Sequence, residues 1–496
     1  MTSILKNYKS FLNYRNFLLI FFSLTLFLLI FYLFKPMFSS GYYFDDILNS
    51  QSKYYLLFKG MKSRELSLKL VNGWLASGRI IPGALYGVLP NLYHSLLRYK
   101  GIIFAFHFAN ILLFSVFLYS LFKNYFLSFL FALSILVFFQ FKEYPDSLTS
   151  FGILMPLLVF KFITALIFFK LYLVRKKIIY LFISAILYLL MLLMFYEIAY
   201  LLFPIVLLIA YMQNKNYHFV FKKSFIYILL SFIFIVLYFI VSIRSSHNYV
   251  GSTINFDLSL IISTLIKQTL SSFPVTYLMV RKFFSFIYLN KLDYLLSLAY
   301  SLMFYIFLLN LKIRDTKFLF IFGALLCFIP ALPLSMSLRY QQEINWGRTH
   351  IPVYAQYFGA CILSIAAIVS ILNCISKLYI KKIFTFFLAI IFSAIYFITI
   401  QNNKVTIEEM NTTFKYPREL VESALKNGLL FELQPEDIII TLNNNAWDNS
   451  HNYFAFSNKK FTVINLKQYL ENDNNAKRWD QLTIVNNMKN ESVPTF

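Results

Sequence analysis

GIIFAFHFANILLFSVFLYSLF, residues 101–122, decides the fold. It is a run of about twenty mostly apolar residues, the length an α-helix needs to cross the hydrocarbon of a bilayer. Similar runs recur along the 496-residue chain, separated by short charged stretches. Further spans are expected near 125–141, 150–172, 178–195, 197–212, 224–243, 293–311, 317–334, 351–372 and 383–401, after a first one over Asn16–Phe34. The pair around Glu197 also reads as one broken or re-entrant hairpin. Lys35-Pro36-Met37-Phe38 follows the first run with no small-residue cleavage site, so that run reads as an uncleaved signal anchor. The composition agrees: 59% of residues are hydrophobic, 20% aromatic and 14% charged, with a mean hydropathy of +0.65. A soluble chain has no use for that much apolar surface.

The net charge of +23 would suggest a nucleic-acid partner, but the positive residues sit mostly beside spans, which excludes that reading. With the amino terminus inside, the short inside segments hold Lys6, Lys9, Arg15, Lys123, Arg175, Lys176, Lys177, Lys215, Lys222, Lys223, Lys312, Arg314, Lys317, Lys377, Lys381 and Lys382, against the single acid Asp315. Every inside segment is basic, as the positive-inside rule expects. The fold class is therefore an all-α polytopic membrane protein of about eleven transmembrane helices. Residues 1–401 form the membrane domain, with a long first outside loop at 36–100. Residues 402–496 form a small extracytoplasmic α/β segment: Pro417 to Leu425 reads as a helix with Pro at its start, and Asp437 to Leu442 as a strand. The expected location is the inner or plasma membrane, with the amino terminus cytoplasmic and the carboxy terminus outside. Cys327, Cys361 and Cys374 lie in or beside apolar spans without metal-ligand spacing and read as buried thiols. The sequence holds no P-loop, GxGxxG, HExxH or convincing internal repeat.

The outside segments carry the chemistry. Gly41-Tyr42-Tyr43-Phe44-Asp45-Asp46 opens the first loop. Two adjacent carboxylates at a membrane surface can divide labour, one as general base and one orienting a cation or the site; equally, either aspartate suits a helix N-cap. Arg79, after Trp74, fits bidentate phosphate binding or interfacial anchoring. Glu143 and Asp146 flank Pro145 in the second outside turn, where a solvated turn is the plain account. Glu197 lies between apolar runs, where an unpaired carboxylate is costly. Arg339, Gln341 and Arg348 belong to a donor-rich third outside loop, and Tyr354 follows it among aromatics at the start of the next span; together they suit phosphate or sugar hydroxyls or simply an interfacial belt. Lys161, inside a span, reads as snorkelling to the outer surface or meeting an anionic headgroup.

This combination resembles the GT-C superfamily of membrane glycosyltransferases, most of all the bacterial and phage-type O-antigen glucosyltransferases. The resemblance rests on Asp45-Asp46 directly after the first span, the acids Glu143 and Asp146, the segments Trp74 to Arg79 and Trp346 to Tyr357, and a soluble tail. It covers roughly residues 1–400 as an architecture. It implies a polyprenyl-phosphate-linked sugar as donor and a cell-surface glycan or lipid-linked acceptor, joined on the outer face. Asp45 or Asp46 would deprotonate the acceptor, and Arg79, Arg339 or Arg348 would hold the donor phosphate. A divalent cation, Mg or Mn, is an optional assistant, since no closed ligand set is visible. The rival readings are a polysaccharide or lipid transporter (a flippase), whose mark would be charges lining a central bundle, a polysaccharide polymerase leaning on loop arginines, and a membrane scaffold.

Overall fold

The computed structural model describes residues 20–43, 46, 95–143, 146–150, 153–194, 199–244, 253–279, 290–313, 316–348, 351–416 and 419, single positions at 62, 64, 65, 68 and 72, and three strands at 438–441, 462–465 and 482–485. The described chain is nearly all helical. In order run α1 (Ile20–Ser39), α2 (Leu96–Phe122), α3 (Tyr125–Val137), α4 (Leu154–Arg175), α5 (Ile178–Met194), α6 (Leu202–Gln213), α7 (Tyr217–Arg244), α8 (Leu258–Leu270), α9 (Lys291–Leu309), α10 (Thr316–Ser335), α11 (Leu338–Glu343), α12 (Val353–Cys374) and α13 (Leu378–Met410).

Eight of these, α1, α2, α4, α7, α9, α10, α12 and α13, are long and apolar enough to cross a membrane, which makes this a multi-pass membrane protein. A helix stands where each expected span was read. Three of the expected eleven are shorter: α3, α5 with 17 residues and α6 with 12. At the helical rise these are about 18–26 Å long, less than the ~30 Å hydrocarbon core. The apolar run after Tyr125 stops being helical at Val137, and the described residues 138–143 and 146–150 are irregular backbone and turns, although Phe138, Phe139 and Phe141 are fully buried.

The chain divides into two compact units. The first comprises residues 1–39, 71–85 and 100–406. Its basic end is built from short helix-to-helix turns. Lys123 and Lys176 both adopt left-handed backbone (φ 53° and 58°), and their N–H groups close the preceding helices on Tyr119 O and Tyr172 O at 2.8 Å, a common C-terminal cap. Asn124 accepts from Leu127 N at 3.1 Å to start α3, and its Nδ2 donates to Lys312 O at 2.9 Å.

Within this unit α10 and α12 cross at glycines. A Cβ on Gly359 would meet Cys327 N at 2.6 Å and Gly323 O at 2.8 Å. Small residues permit this backbone approach, a device of membrane helix packing. Pro330 and Pro333 then break the helical ladder of α10. The Cys327 carbonyl takes a 2.6 Å hydrogen bond from Gln356 Nε2 on α12. Between α9 and α13 the seam is aromatic, with Tyr300 stacked on Tyr396 at 4.6 Å and Phe304 on Phe392 at 4.4 Å.

The second unit comprises residues 40–70, 86–99 and 407–496. Its strands β1 (Ile438–Thr441), β2 (Thr462–Asn465) and β3 (Leu482–Val485) pair in the order β2-β1-β3, all parallel, with Ile439 opposite Val463 and Thr483. Most of the expected helix at 417–425 lies outside the described residues.

Candidate functional site

In the second unit, the segment that follows α1 is fastened to residues 411–415. Gly41 N donates to Asn411 Oδ1 at 3.2 Å, and the Tyr43 hydroxyl donates to the same oxygen at 2.6 Å. A Cβ at Gly41 would lie 2.8 Å from Lys415 Cβ, so the close approach requires glycine. Burial pushes the Tyr43 phenol well above its usual range, so it stays a neutral donor. Asp46 N donates to Tyr43 O at 3.0 Å, and the Asp46 side chain is fully buried. A carboxylate carried into the interior this close to the end of a span is costly unless it is held for a purpose. Asp45, Arg79, Trp74 and Glu197 lie outside the described residues.

In the first unit, polar side chains of α2, α12 and α13 gather around the described residues 138–143 and 146–150 and the start of α4. Lys142 is fully buried; its Nζ donates to Ser271 O at 2.7 Å and sits 5.8 Å from the Tyr357 ring centroid. Ser271 is the C-terminal cap residue of α8, a position that favours a cation. Asp146 is also buried. Its carboxylate accepts from Leu148 N at 3.0 Å and from the Thr149 hydroxyl at 2.8 Å. Lys100 Nζ donates to Thr149 O at 3.0 Å. His107 Nδ1 lies 2.8 Å from the Tyr354 hydroxyl and Nε2 lies 3.3 Å from Leu148 O. Because Leu148 O can only accept, Nε2 carries the proton and Nδ1 accepts from Tyr354. Asn110 Nδ2 donates to the same tyrosine at 3.1 Å and to Pro156 O at 2.8 Å.

From α13, Asn403 Oδ1 accepts from Phe141 N at 2.7 Å, Asn403 Nδ2 donates to Phe139 O, and Asn402 Nδ2 donates to Phe141 O, both at 3.0 Å. Gln140 Nε2 donates to Phe273 O at 2.8 Å. Buried irregular backbone needs partners for its N–H and C=O groups, and these side chains supply them.

Burial pushes the Lys142 ammonium down to about 7, against the pull of Asp146. Burial pushes the Asp146 carboxyl up to about 6, against its hydrogen bonds and the nearby Lys142 charge. Both groups therefore sit near neutrality, the range in which a side chain can exchange protons usefully.

The remaining expected residues separate. Asp146 is enclosed rather than solvated, and Glu143 is half-buried, its N–H donating to the Tyr277 hydroxyl at 3.1 Å. The third loop is largely structured. Arg339 pairs with Glu343 across one exposed turn of α11 at 2.7 Å. Gln341 is buried, donating to Ser335 O at 2.8 Å and accepting from Asn255 Nδ2 at 2.8 Å. Arg348 is exposed. Tyr354 lies in the first turn of α12, fully buried against His107 and Asn110. Lys161 reaches Met194 Sδ at 2.7 Å, half-buried between α4 and α5.

A second buried charge cluster joins α1, α9 and α13. Asp293 accepts from Tyr32 OH at 2.6 Å, Gln401 Nε2 at 2.8 Å and Lys404 Nζ at 2.8 and 2.9 Å. It also closes a capping box with Asn290 at the start of α9.

Sequence reading passed over Lys100, Lys142, His107, Asn110, Asp293, Asn402, Asn403 and Lys404. Lys100 and Lys142 had a usable signal, as lysines standing directly at the edges of apolar runs. Among the described residues no three His, Cys, Asp or Glu side chains converge to hold a metal ion. No protein-family model, curated protein or solved structure matches this chain.

Proposed function

We propose that this chain is a membrane glycosyltransferase of the GT-C type, moving a sugar from a polyprenyl-phosphate carrier to a cell-surface glycan or lipid-linked acceptor on the outer face. The observation that carries the reading is the buried Asp46 a few residues beyond α1, fastened through Tyr43 and Gly41 to Asn411. In this reading Asp46, with Asp45 beside it, takes the proton of the acceptor hydroxyl. That oxygen attacks the anomeric carbon, and the bond to the carrier phosphate breaks with its electron pair leaving on the phosphate. Of the loop arginines, Arg339 is engaged by Glu343, while Arg348 is exposed. The reading takes α3, α5 and α6 as completing eleven crossings, with the basic turns cytoplasmic and a small α/β tail outside.

The test is transfer from a radiolabelled polyprenyl-phosphate sugar pool in membranes, comparing the native chain with Asp45→Asn and Asp46→Asn at matched expression. Loss of a general base lowers the rate about 10²–10⁴-fold. Unchanged transfer in both variants would sink the assignment.

One observation favours a second reading, a lipid or polysaccharide transporter. Lys100, Lys142 and Asp146 are buried within the helical unit beside irregular backbone, a combination typical of transport pathways. If the native chain transfers none of several sugars while Lys142→Met abolishes lipid-linked sugar translocation in vesicles, that reading replaces the first.

A further inference from the structure

The helix α8 is built inside out for a water-facing loop. A surface helix in water normally hides its apolar stripe and shows its polar one. Here Leu258, Ile262, Ile266 and Leu270, spaced four apart on one face, are 68%, 47%, 42% and 45% exposed, and Ile254 and Phe256 just upstream are 55% and 75% exposed. On the other face Thr264 and Gln268 are buried. Gln268 Nε2 donates to Gln356 Oε1 at 2.9 Å, and Gln356 in turn donates to Cys327 O.

The helix cannot roll its apolar face inward, because both ends are tied. Asp257 caps the start, accepting from Ser259 N at 2.9 Å and Leu260 N at 3.2 Å. Ile254 forms an antiparallel bridge with Ser337, just past the end of α10. At the far end, Ser271 O accepts from Lys142 and Ser271 Oγ accepts from Gly347 N at 3.0 Å. These ties hold α8 beside the end of one membrane-crossing helix, α10, and the first turn of another, α12. With 13 residues it is about 20 Å long and too short to cross.

We infer that α8 is an interfacial helix, its outer stripe lying in the membrane at the boundary between lipid headgroups and acyl chains. Lipid is the occupant because α8 is anchored at the ends of spans, where the bilayer boundary already lies. Lys267, half-buried on the flank of the apolar stripe in the last turn, is placed to reach lipid phosphates. The inference rests on the membrane fold and is independent of the catalytic proposal.

The test uses the full chain in phosphatidylcholine–phosphatidylglycerol vesicles with a nitroxide label on Ile262→Cys or Ile266→Cys. The background is Cys374→Ser, because Cys327 and Cys361 are buried while Cys374 is exposed. Oxygen should relax both labels more strongly than a water-soluble nickel chelate, with a shallower depth than a label on Leu298→Cys of α9. Relaxation dominated by the chelate would place the helix in water and overturn the inference. Protection from both agents would overturn it too, indicating a second copy if spin–spin broadening is present and this chain's own cover if it is not.

Discussion

Breaking the Asp293–Lys404 pair offers the sharpest check on the helical unit. Asp293 is fully buried, and the Lys404 side chain is 20% exposed. Removing one partner of a buried pair costs about 3–5 kcal/mol, because the other charge stays behind uncompensated. In Lys404→Met the carboxylate keeps Tyr32, Gln401 and the Asn290 N–H as donors, which places the loss at the low end, about 3 kcal/mol. In Asp293→Asn the lysine can turn its ammonium toward solvent and Tyr32 can donate to the amide oxygen, so the loss should be about 2 kcal/mol. The double variant leaves no stranded charge and should lose about 3 kcal/mol rather than the sum of 5. The coupling of about 2 kcal/mol is of the size expected for contacting groups. Unfolding in detergent followed by tryptophan fluorescence measures all four corners of the cycle. Losses that add to within about 0.5 kcal/mol would refute the view that these groups act as one clamp across three helices.

Gly359→Ala should destabilise the detergent-solubilised protein by about 1–3 kcal/mol or more, read as a lowered Tm, since the new methyl meets backbone atoms of α10 at 2.6–2.8 Å; Gly101→Ala, with open space around its Cβ position, is the matched control. The Lys142–Asp146 pair should shape stability against pH. Asp146 has a raised folded pKa, so the folded state binds the extra proton and this group's contribution falls as pH climbs from about 4 to about 6. Lys142 has a lowered folded pKa, so the unfolded state binds the extra proton and stability rises from about pH 7 to about 10. A Tm-against-pH series should show Asp146→Asn losing the acid limb and Lys142→Met losing the alkaline limb; parallel curves for both variants and the native chain would contradict the burial argument.

The helices were legible because apolar length is a direct consequence of bilayer thickness, and every long run became a helix. Which runs stop short was not legible. Nothing in the hydropathy of 125–141 marks Val137 as the end of α3, because large apolar residues continue on both sides of it. The buried charges were hidden for a related reason. Lys100 and Lys142 stand at run ends, where a lysine ordinarily reaches water, and only the tertiary fold encloses them. Asp293 does what its local sequence suggests, capping α9 with Asn290, and in addition pairs with Lys404 more than a hundred residues away. Tyr354 stands just inside the expected span at 351–372, but nothing local shows that it would be enclosed against His107 and Asn110, more than 240 residues earlier in the chain.

The backbone of Phe139 and Phe141 depends for its partners on Asn402 and Asn403, which lie more than 250 residues further along the chain. During synthesis the early half of the protein reaches the membrane long before those amides exist. Until α13 arrives, these peptide groups of Phe139 and Phe141 lack their native partners. A buried peptide group without a partner is costly, so this stretch takes its final packing only with α13 in place. Its close packing is therefore a local report that a helix from the far end of the membrane unit has docked.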